Sequence, residues 1–298
     1  MKWLILGNFG TGWDGSICDE EHIAEALEWQ GHEVIRWQRD DMVGYKENVM
    51  DADISLIAQW DGYPQDLGQY LPGKRVYWAF DHQDQAQEWH QNLIQTSDLY
   101  LSKRIADSIY PNWHWLPQDF APMFLNRFEH KPTRDIDVLF TGSYLPWATE
   151  RLETLKAVDE KFDLHIYSVT PDQWIAEGFK NVHGPVMDHQ LTSLIARAKV
   201  NLSIDHTIEA GYWSDRNAQI MACGGFVLFR YVPLSELVFR DKIAYFYNTD
   251  DCIGKLRHYL NGITEVKMKA SLGYTYAQNN LMVKNRVKDL VTIVEDIL

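Results

Sequence analysis

Short apolar runs that alternate with helical stretches along the whole chain constrain its fold more than any single motif. In the first half the runs fall at residues 3–6, 33–37, 54–59, 75–80, 99–102 and 114–116, with helical stretches at 20–30, 84–96 and 104–110. Each run is short and β-branched or aromatic, as expected for strands covered on both faces. Strands that alternate with helices pair in parallel, because a parallel neighbour needs a crossover and a helix supplies it. Residues 121–134 break this pattern with Pro122, Pro132 and several charges in no period, which marks a linker. The alternation then restarts: 137–140, 164–167, 200–204 and 243–247 predict strands, and 148–161, 188–198 and 250–261 predict helices. The tail from 264 to 298 reads as helical, with a break near Asn279-Asn280.

The expected fold is α/β: two Rossmann-like, doubly wound parallel-sheet domains facing a central cleft. Their expected limits are 1–120 and 121–298, with the last helix able to pack back on the first domain. A length of 298 residues suffices for two domains of about 150 each. In open α/β sheets ligands sit at the carboxyl ends of the strands, so the loops there should carry the chemistry.

Composition excludes several classes. A hydrophobic fraction of 46% and a charged fraction of 23% are those of a globular chain. No apolar run approaches the roughly 20 residues of a membrane span. Met1-Lys-Trp-Leu-Ile-Leu-Gly7 is too short for a signal peptide and reads as a first buried strand. Cys18, Cys223 and Cys252 are widely spaced and odd in number, which predicts a reducing cytoplasm without a disulfide framework or zinc site. The net charge of −14 argues against broad adhesion to nucleic acid or anionic membrane and leaves nucleic acid only as an acceptor substrate.

The candidate chemistry lies in strand-end loops. The first strand ends in Gly7-Asn-Phe-Gly-Thr-Gly-Trp-Asp-Gly15, which matches neither Gly-x-Gly-x-x-Gly nor a P-loop. It reads as a flexible loop over substrate or as a plain turn, and Asp14 is its one ionisable group. Asp81-His82 follows the fourth strand, where a carboxylate could accept a proton from an attacking hydroxyl. Asp81 suits an N-cap equally well, and His82 or His206 could serve as base or orienter.

In the second half, Phe140-Thr-Gly-Ser-Tyr144 is a strand end entering a glycine turn, with Arg151 in the helix beyond. Backbone N–H groups of Gly142 and Ser143 are offered there to a diphosphate. The strand end at 166–169, which includes Ser168, and the turn His183-Gly184-Pro185 could line a nucleobase pocket. Asp205-His206 ends another strand just before Tyr212-Trp-Ser-Asp-Arg-Asn-Ala-Gln-Ile-Met-Ala-Cys-Gly-Gly-Phe-Val-Leu228. This last segment predicts a polar loop, a short helix over 215–223, a glycine pair and a buried strand. Ser214, Asp215 and Arg216 at the helix start would suit a phosphate, while Gly224 and Gly225 would let backbone approach a ligand; an ordinary capped helix fits too. Arg216 is best suited to neutralise a diphosphate through its planar fork. Asp51-Ala-Asp53 has metal-motif spacing but precedes a strand, so no metal is expected.

These motifs resemble GT-B glycosyltransferases of group 1, the CgeB-like (spore-maturation-protein-like) enzymes. The resemblance rests on Trp115-Leu-Pro-Gln118, Asp137-Val-Leu-Phe-Thr-Gly-Ser143, His183-Gly-Pro-Val186, Lys199-Val-Asn-Leu202, Ser214-Asp-Arg216, Ala222-Cys-Gly-Gly-Phe-Val-Leu228 and Thr249-Asp-Asp251. It covers about the C-terminal 60% of the chain; the first half agrees only in pattern. It implies a metal-independent transferase with no permanently bound cofactor, using a nucleoside-diphosphate sugar as donor, a UDP-sugar foremost, and a hydroxyl acceptor. The implied nucleotide site is Gly142, Ser143, Tyr144, Ser168, His183, Gly184, Tyr212, Ser214, Asp215, Arg216, Gln219, Gly224 and Gly225, with Asp81, Asp14 and His82 as catalytic candidates. Gln219 stands where family members carry a ribose-gripping glutamate, and an amide is no charged acceptor. That departure keeps open a non-catalytic sugar- or nucleotide-binding protein. A phage-type enzyme acting on hydroxymethylated DNA bases is a further alternative.

Overall fold

The computed structural model describes residues 1–10, 12, 17–41, 45–47, 50–58, 63–64, 66–80, 87–118, 120–123, 125 and 134–297. Two compact units emerge, one formed by Met1–Gln118 with Val283–Leu298 and the other by Asp119–Met282. Both are α/β, each built on a six-stranded parallel sheet.

The first unit runs β1 (Lys2–Gly7), α1 (Asp19–Trp29), β2 (Glu33–Gln38), β3 (Ile54–Ala58), β4 (Lys74–Ala79), α2 (Glu88–Thr96), β5 (Leu99–Ser102) and β6 (Trp113–Trp115). Its strand order is β2-β1-β3-β4-β5-β6. Leu4, Leu6, Ile57 and Tyr77 of the strands share a core with Leu93 and Ile94 of α2. The expected helix over 104–110 is instead a 3-10 turn, Ile105–Ile109. Asp107 within it is fully buried and accepts the hydroxyls of Tyr100 and Ser102, both at 2.7 Å, which draws the turn tight against β5. The expected helix over 84–96 is described from Glu88 onward.

The second unit runs β7 (Ile136–Thr141), α3 (Thr149–Asp159), β8 (Leu164–Tyr167), α4 (Pro171–Ala176), β9 (Asn181–His183), α5 (Asp188–Arg197) and β10 (Ala198–Ser203). It continues with α6 (Arg216–Ala222), β11 (Val227–Arg230), α7 (Ser235–Phe239), β12 (Ala244–Phe246), α8 (Thr249–Asn261) and α9 (Ile263–Asn280). The strand order is β12-β11-β10-β7-β8-β9. Val138, Phe140, Ile166, Val200, Leu202 and Leu228 face one side of this sheet and pack with Leu152 and Leu155 of α3 and Leu256 of α8. Asn201 and Ser203 alternate with these core residues along β10 and so face the other side. The chain then returns to the first unit as α10 (Val283–Ile297), which packs on α1. Val283, Val287, Leu290 and Val294 recur at helical spacing and are all at least 98% buried.

Sheet topology places the site. In the second unit, β7 pairs with both β8 and β10 although these follow it on opposite sides, so the strand order reverses between β7 and β10. Crossover helices leave the two strand ends in opposite directions there, opening a crevice beyond their carboxyl termini.

Candidate functional site at the strand-order switch

Two arginines meet at that crevice. Arg216, the first residue of α6, donates from Nε to the Thr141 carbonyl at the end of β7, at 2.8 Å. Arg151, on the first turns of α3, is 96% buried and donates from Nη2 to the Ser143 carbonyl at 2.6 Å. Their guanidinium carbons stand 5.4 and 5.7 Å from the centre of the Phe140 ring, so one aromatic ring carries two cations. Burial, then the charge of Arg216, push Arg151 down to about 10, with Asp205 pulling the other way. At neutral pH it therefore remains a cation, and its Nε is buried with no hydrogen-bond partner among the described residues.

Asp205, two residues past β10, is the carboxylate that answers these charges. Its side chain is 3% exposed and lies 3.6 Å from Arg216 Nη1. Its Oδ1 accepts the Ser214 N–H at 3.2 Å and the Ser214 hydroxyl at 2.8 Å, and Ser214 Oγ accepts from Arg216 Nη1 at 3.2 Å. Among the described residues, Asp205 is the carboxylate recorded against these two largely buried guanidiniums, which leaves an excess of positive charge that a buried site tolerates poorly unless an anion joins it.

The turn after β7 contributes space more than donors. The Gly142 N–H is already bonded to the Tyr167 carbonyl at 3.0 Å, and that of Tyr144 to Thr170 Oγ1 at 3.1 Å. Of the two N–H groups expected for a diphosphate, the one on Gly142 is thus occupied. A Cβ on Gly142 would lie 3.1 Å from Arg216 Nη2 and from the Phe140 ring, so glycine is what lets the guanidinium close over the turn. The helix-start expectation shrinks in the same way: α6 has seven residues and Asp215 caps it without a side-chain bond to its first turn. The positive character comes from side chains.

Along the neighbouring edge, Tyr167 and His183 stack at 4.4 Å and His183 stacks on His165 at 5.2 Å. His165 bonds His183 at 3.0 Å and Asp163 at 3.2 Å. Burial, then the adjacent His165, hold His183 below the ordinary histidine range. A neutral ring stacked on a tyrosine is a face on which a planar base can rest. Gly184 beside it is exposed, with open space where a Cβ would sit.

Among the residues singled out from sequence, Gly142, Ser143, Ser214 and Arg216 are brought together. Asp215 and Gln219 form a pair one helical turn along, the amide of Gln219 donating to the carboxylate. His183 and Gly184 lie on the adjoining edge. Ser168 is buried in its own turn, bonding the backbone of Thr170 at 3.0 Å. The Tyr144 hydroxyl is committed to Glu177 at 2.7 Å, and that bond raises its pKa. Tyr212 is buried, its ring 5.4 Å from His206. Gly224 and Gly225 sit at the opposite end of α6 from Arg216, Gly225 wedged between Ile195, Ile220 and Asn201. Asp14, Asp81 and His82 lie outside the described residues. Phe140, Arg151 and Asp205 were marked in sequence as neighbours of the expected loops without a place in the implied nucleotide site; a lone arginine in a helix and an aspartate after an apolar run carry no stronger mark.

In the first unit the carboxyl end of β1 is tied down by Glu20, 95% buried, which accepts the Asn8 N–H at 3.3 Å. Gln118 donates to Asp19 at 2.6 Å beside it. Among the described residues no group of three or more His, Cys, Asp or Glu side chains is arranged to hold a metal ion. No described helix is long and apolar enough to cross a membrane.

Residues 148–292 match the model of a family described as glycosyl transferase-like. No curated protein matches the sequence. Among solved structures, sucrose-phosphate synthase from Thermosynechococcus elongatus is similar with a TM-score of 0.70 at 9% identity, over 99% of this chain and 98% of that one. An alpha-glucosyltransferase in complex with UDP and a mismatched 13-mer DNA gives a TM-score of 0.71 at 12% identity, over 99% and 100%. A T4 phage BGT mutant in complex with UDP-glucose gives 0.67 at 14% identity, over 98% of each chain. At these identities the likenesses establish the fold, a two-domain arrangement of Rossmann-like sheets.

Proposed function

We propose that this chain, GT-B in fold and glycosyl transferase-like over residues 148–292, moves a sugar from a nucleoside-diphosphate sugar to a hydroxyl acceptor. The observation that carries the reading is the excess positive charge at the β7–β10 switch, where Arg151 and Arg216 close on the Gly142-Ser143 turn against one carboxylate. A diphosphate supplies the missing negative charge, and more of it as the glycosidic bond breaks. In the reaction the bond from the anomeric carbon to the diphosphate oxygen breaks, and its electron pair leaves with the diphosphate. The acceptor oxygen bonds that carbon and surrenders its proton to a base, for which Asp81, Asp14 and His82 are the candidates.

The second unit then holds the donor, with the base against Tyr167 and His183 and the ribose near Asp215 and Gln219, while the first unit presents the acceptor. A UDP-sugar is favoured because similar folds are solved with UDP or UDP-glucose. The Ser214-Asp-Arg216 and Ala222-Cys-Gly-Gly225 motifs support a CgeB-like reading, with a hexose or a pentose as the transferred sugar. DNA in one similar complex keeps a nucleic-acid acceptor as a second reading, against which the net charge of −14 stands.

A thermal-shift panel of UDP-, GDP-, ADP- and TDP-sugars tests the proposal. One nucleotide class should stabilise the protein, and Arg216→Ala should abolish the shift. Silence with every nucleotide sinks the reading. Stabilisation without slow release of nucleoside diphosphate indicates a binding protein. A gel shift with hydroxymethylated DNA at low salt separates the two acceptor readings.

A further inference from the structure

We propose that Asp205 is a positioning residue for nucleotide recognition: without contacting the ligand, it fixes the direction in which Arg216 presents its guanidinium. The proposal rests on the reading of the second unit as a nucleoside-diphosphate site.

A carboxylate this deeply buried must be compensated, and the compensation shows what it is for. Ile204, just before it, turns into the core at 2% exposure, which throws Asp205 to the opposite face of the chain beyond β10. There all its recorded bonds fall on one oxygen. Oδ1 takes both the N–H and the hydroxyl of Ser214 and stands 3.6 Å from Arg216 Nη1. Oδ2 is buried and has no hydrogen-bond partner among the described residues. The Ser214 hydroxyl donates its one proton to Asp205, so toward Arg216 it can act only as an acceptor. The carboxylate thereby sets the polarity of the hydroxyl that the guanidinium reads.

Arg216 is held along one edge by this pair and along the next by the Thr141 carbonyl, 2.8 Å from Nε. The nitrogen left over, Nη2, lies above Gly142 and has no bond to a described residue. An arginine side chain carries much rotamer freedom, and a planar fork recognises phosphate well only when its plane is already set. Thr141 alone leaves the plane free to swing about one hydrogen bond; Ser214 and Asp205 stop it. The same contacts join residue 205 to residue 214 and so close the loop between strand and helix, whose Gly211 N–H is tied to the Pro233 carbonyl at 3.0 Å. Phosphate aim and loop closure thus depend on one carboxylate oxygen.

The test compares UDP with uridine, which lacks the phosphates, on wild type, Asp205→Ala, Asp205→Asn and Ser214→Ala. Asp205→Ala should weaken UDP about tenfold or more, while uridine changes less than about twofold, because only the phosphate contact is misaimed. Asp205→Asn keeps an oxygen for Ser214 and should recover most of the loss, whereas Ser214→Ala should reproduce part of it with the buried carboxylate intact. Equal weakening of UDP and uridine would assign Asp205 a merely structural role, and unchanged UDP affinity would remove any role; either overturns the proposal. Wild-type protein that binds no nucleotide defeats the donor-site reading instead. The positioning claim is then read from the Nε–Hε proton NMR signal of Arg216, identified by its loss in Arg216→Lys. It should be sharp in wild type and Asp205→Asn and broadened by exchange in Asp205→Ala and Ser214→Ala. A signal unaltered in those two variants refutes the proposal.

Discussion

His90, on α2, is 99% buried, bonds the Tyr77 hydroxyl through Nδ1 at 2.8 Å and leaves Nε2 buried without a partner. Burial pushes it from 6.5 down to about 4, with Asp107 partly opposing the fall and Arg104 adding to it. The unfolded chain therefore accepts a proton that the folded chain refuses. This contribution to stability is complete above pH 6.5 and disappears as pH falls through about 4. Its size is on the order of 3 kcal/mol. Urea unfolding at pH 7 and pH 4.5 should show a larger acid loss in wild type than in His90→Gln; equal losses would contradict the assignment. Residues whose role depends on such burial are hard to read from sequence. Arg216 was legible because a charged Ser-Asp-Arg before an apolar helix is unusual in itself. Arg151 and Asp205 were visible only as neighbours of that chemistry, because their meaning lies in meeting 54 residues apart across the β7–β10 switch, which no local pattern encodes.

Elements show the same division. The short apolar strands and the helices between them were readable from their alternation along the chain. β9 was not: Asn181-Val-His183 contains one apolar residue and is a strand by virtue of its ladder with β8. α4 is six residues long and begins at Pro171, whose fixed φ suits a first helical turn but whose presence reads as a breaker. The glycine pair after α6 was legible as special, and packing gives a reason for one of its two members. A Cβ on Gly225 would come within 2.5 Å of Ile195 Cγ2 and 2.7 Å of Ile220 Cγ2, so this residue lets α5 and α6 close onto β10. Gly225→Ala should cost about 1–3 kcal/mol by overpacking. Nucleotide affinity measured on the folded fraction should hold, since the wedge lies at the far end of α6 from Arg216. A drop in affinity with unchanged stability would point back to a ligand contact.

At the level of the whole molecule, the first unit is assembled from both ends of the sequence and the second from one continuous stretch. Leu290, fully buried on α10, belongs to the first unit although it lies 175 residues beyond the end of β6 at Trp115. Leu290→Ala should destabilise by about 2–5 kcal/mol, as core truncations do. In hydrogen exchange the amides of β1 and β3 should lose protection while those of β7 and β10 keep theirs. Matched losses in both sheets would show that the units unfold as one.

That division also orders events during synthesis. Every residue of the second unit leaves the ribosome before α10 does, so its sheet can close and its arginines can converge while the first unit still lacks one of its walls. Until residues 283–297 emerge, the side of α1 on which α10 packs stays uncovered. Over that interval the incomplete first unit is open to aggregation at α1.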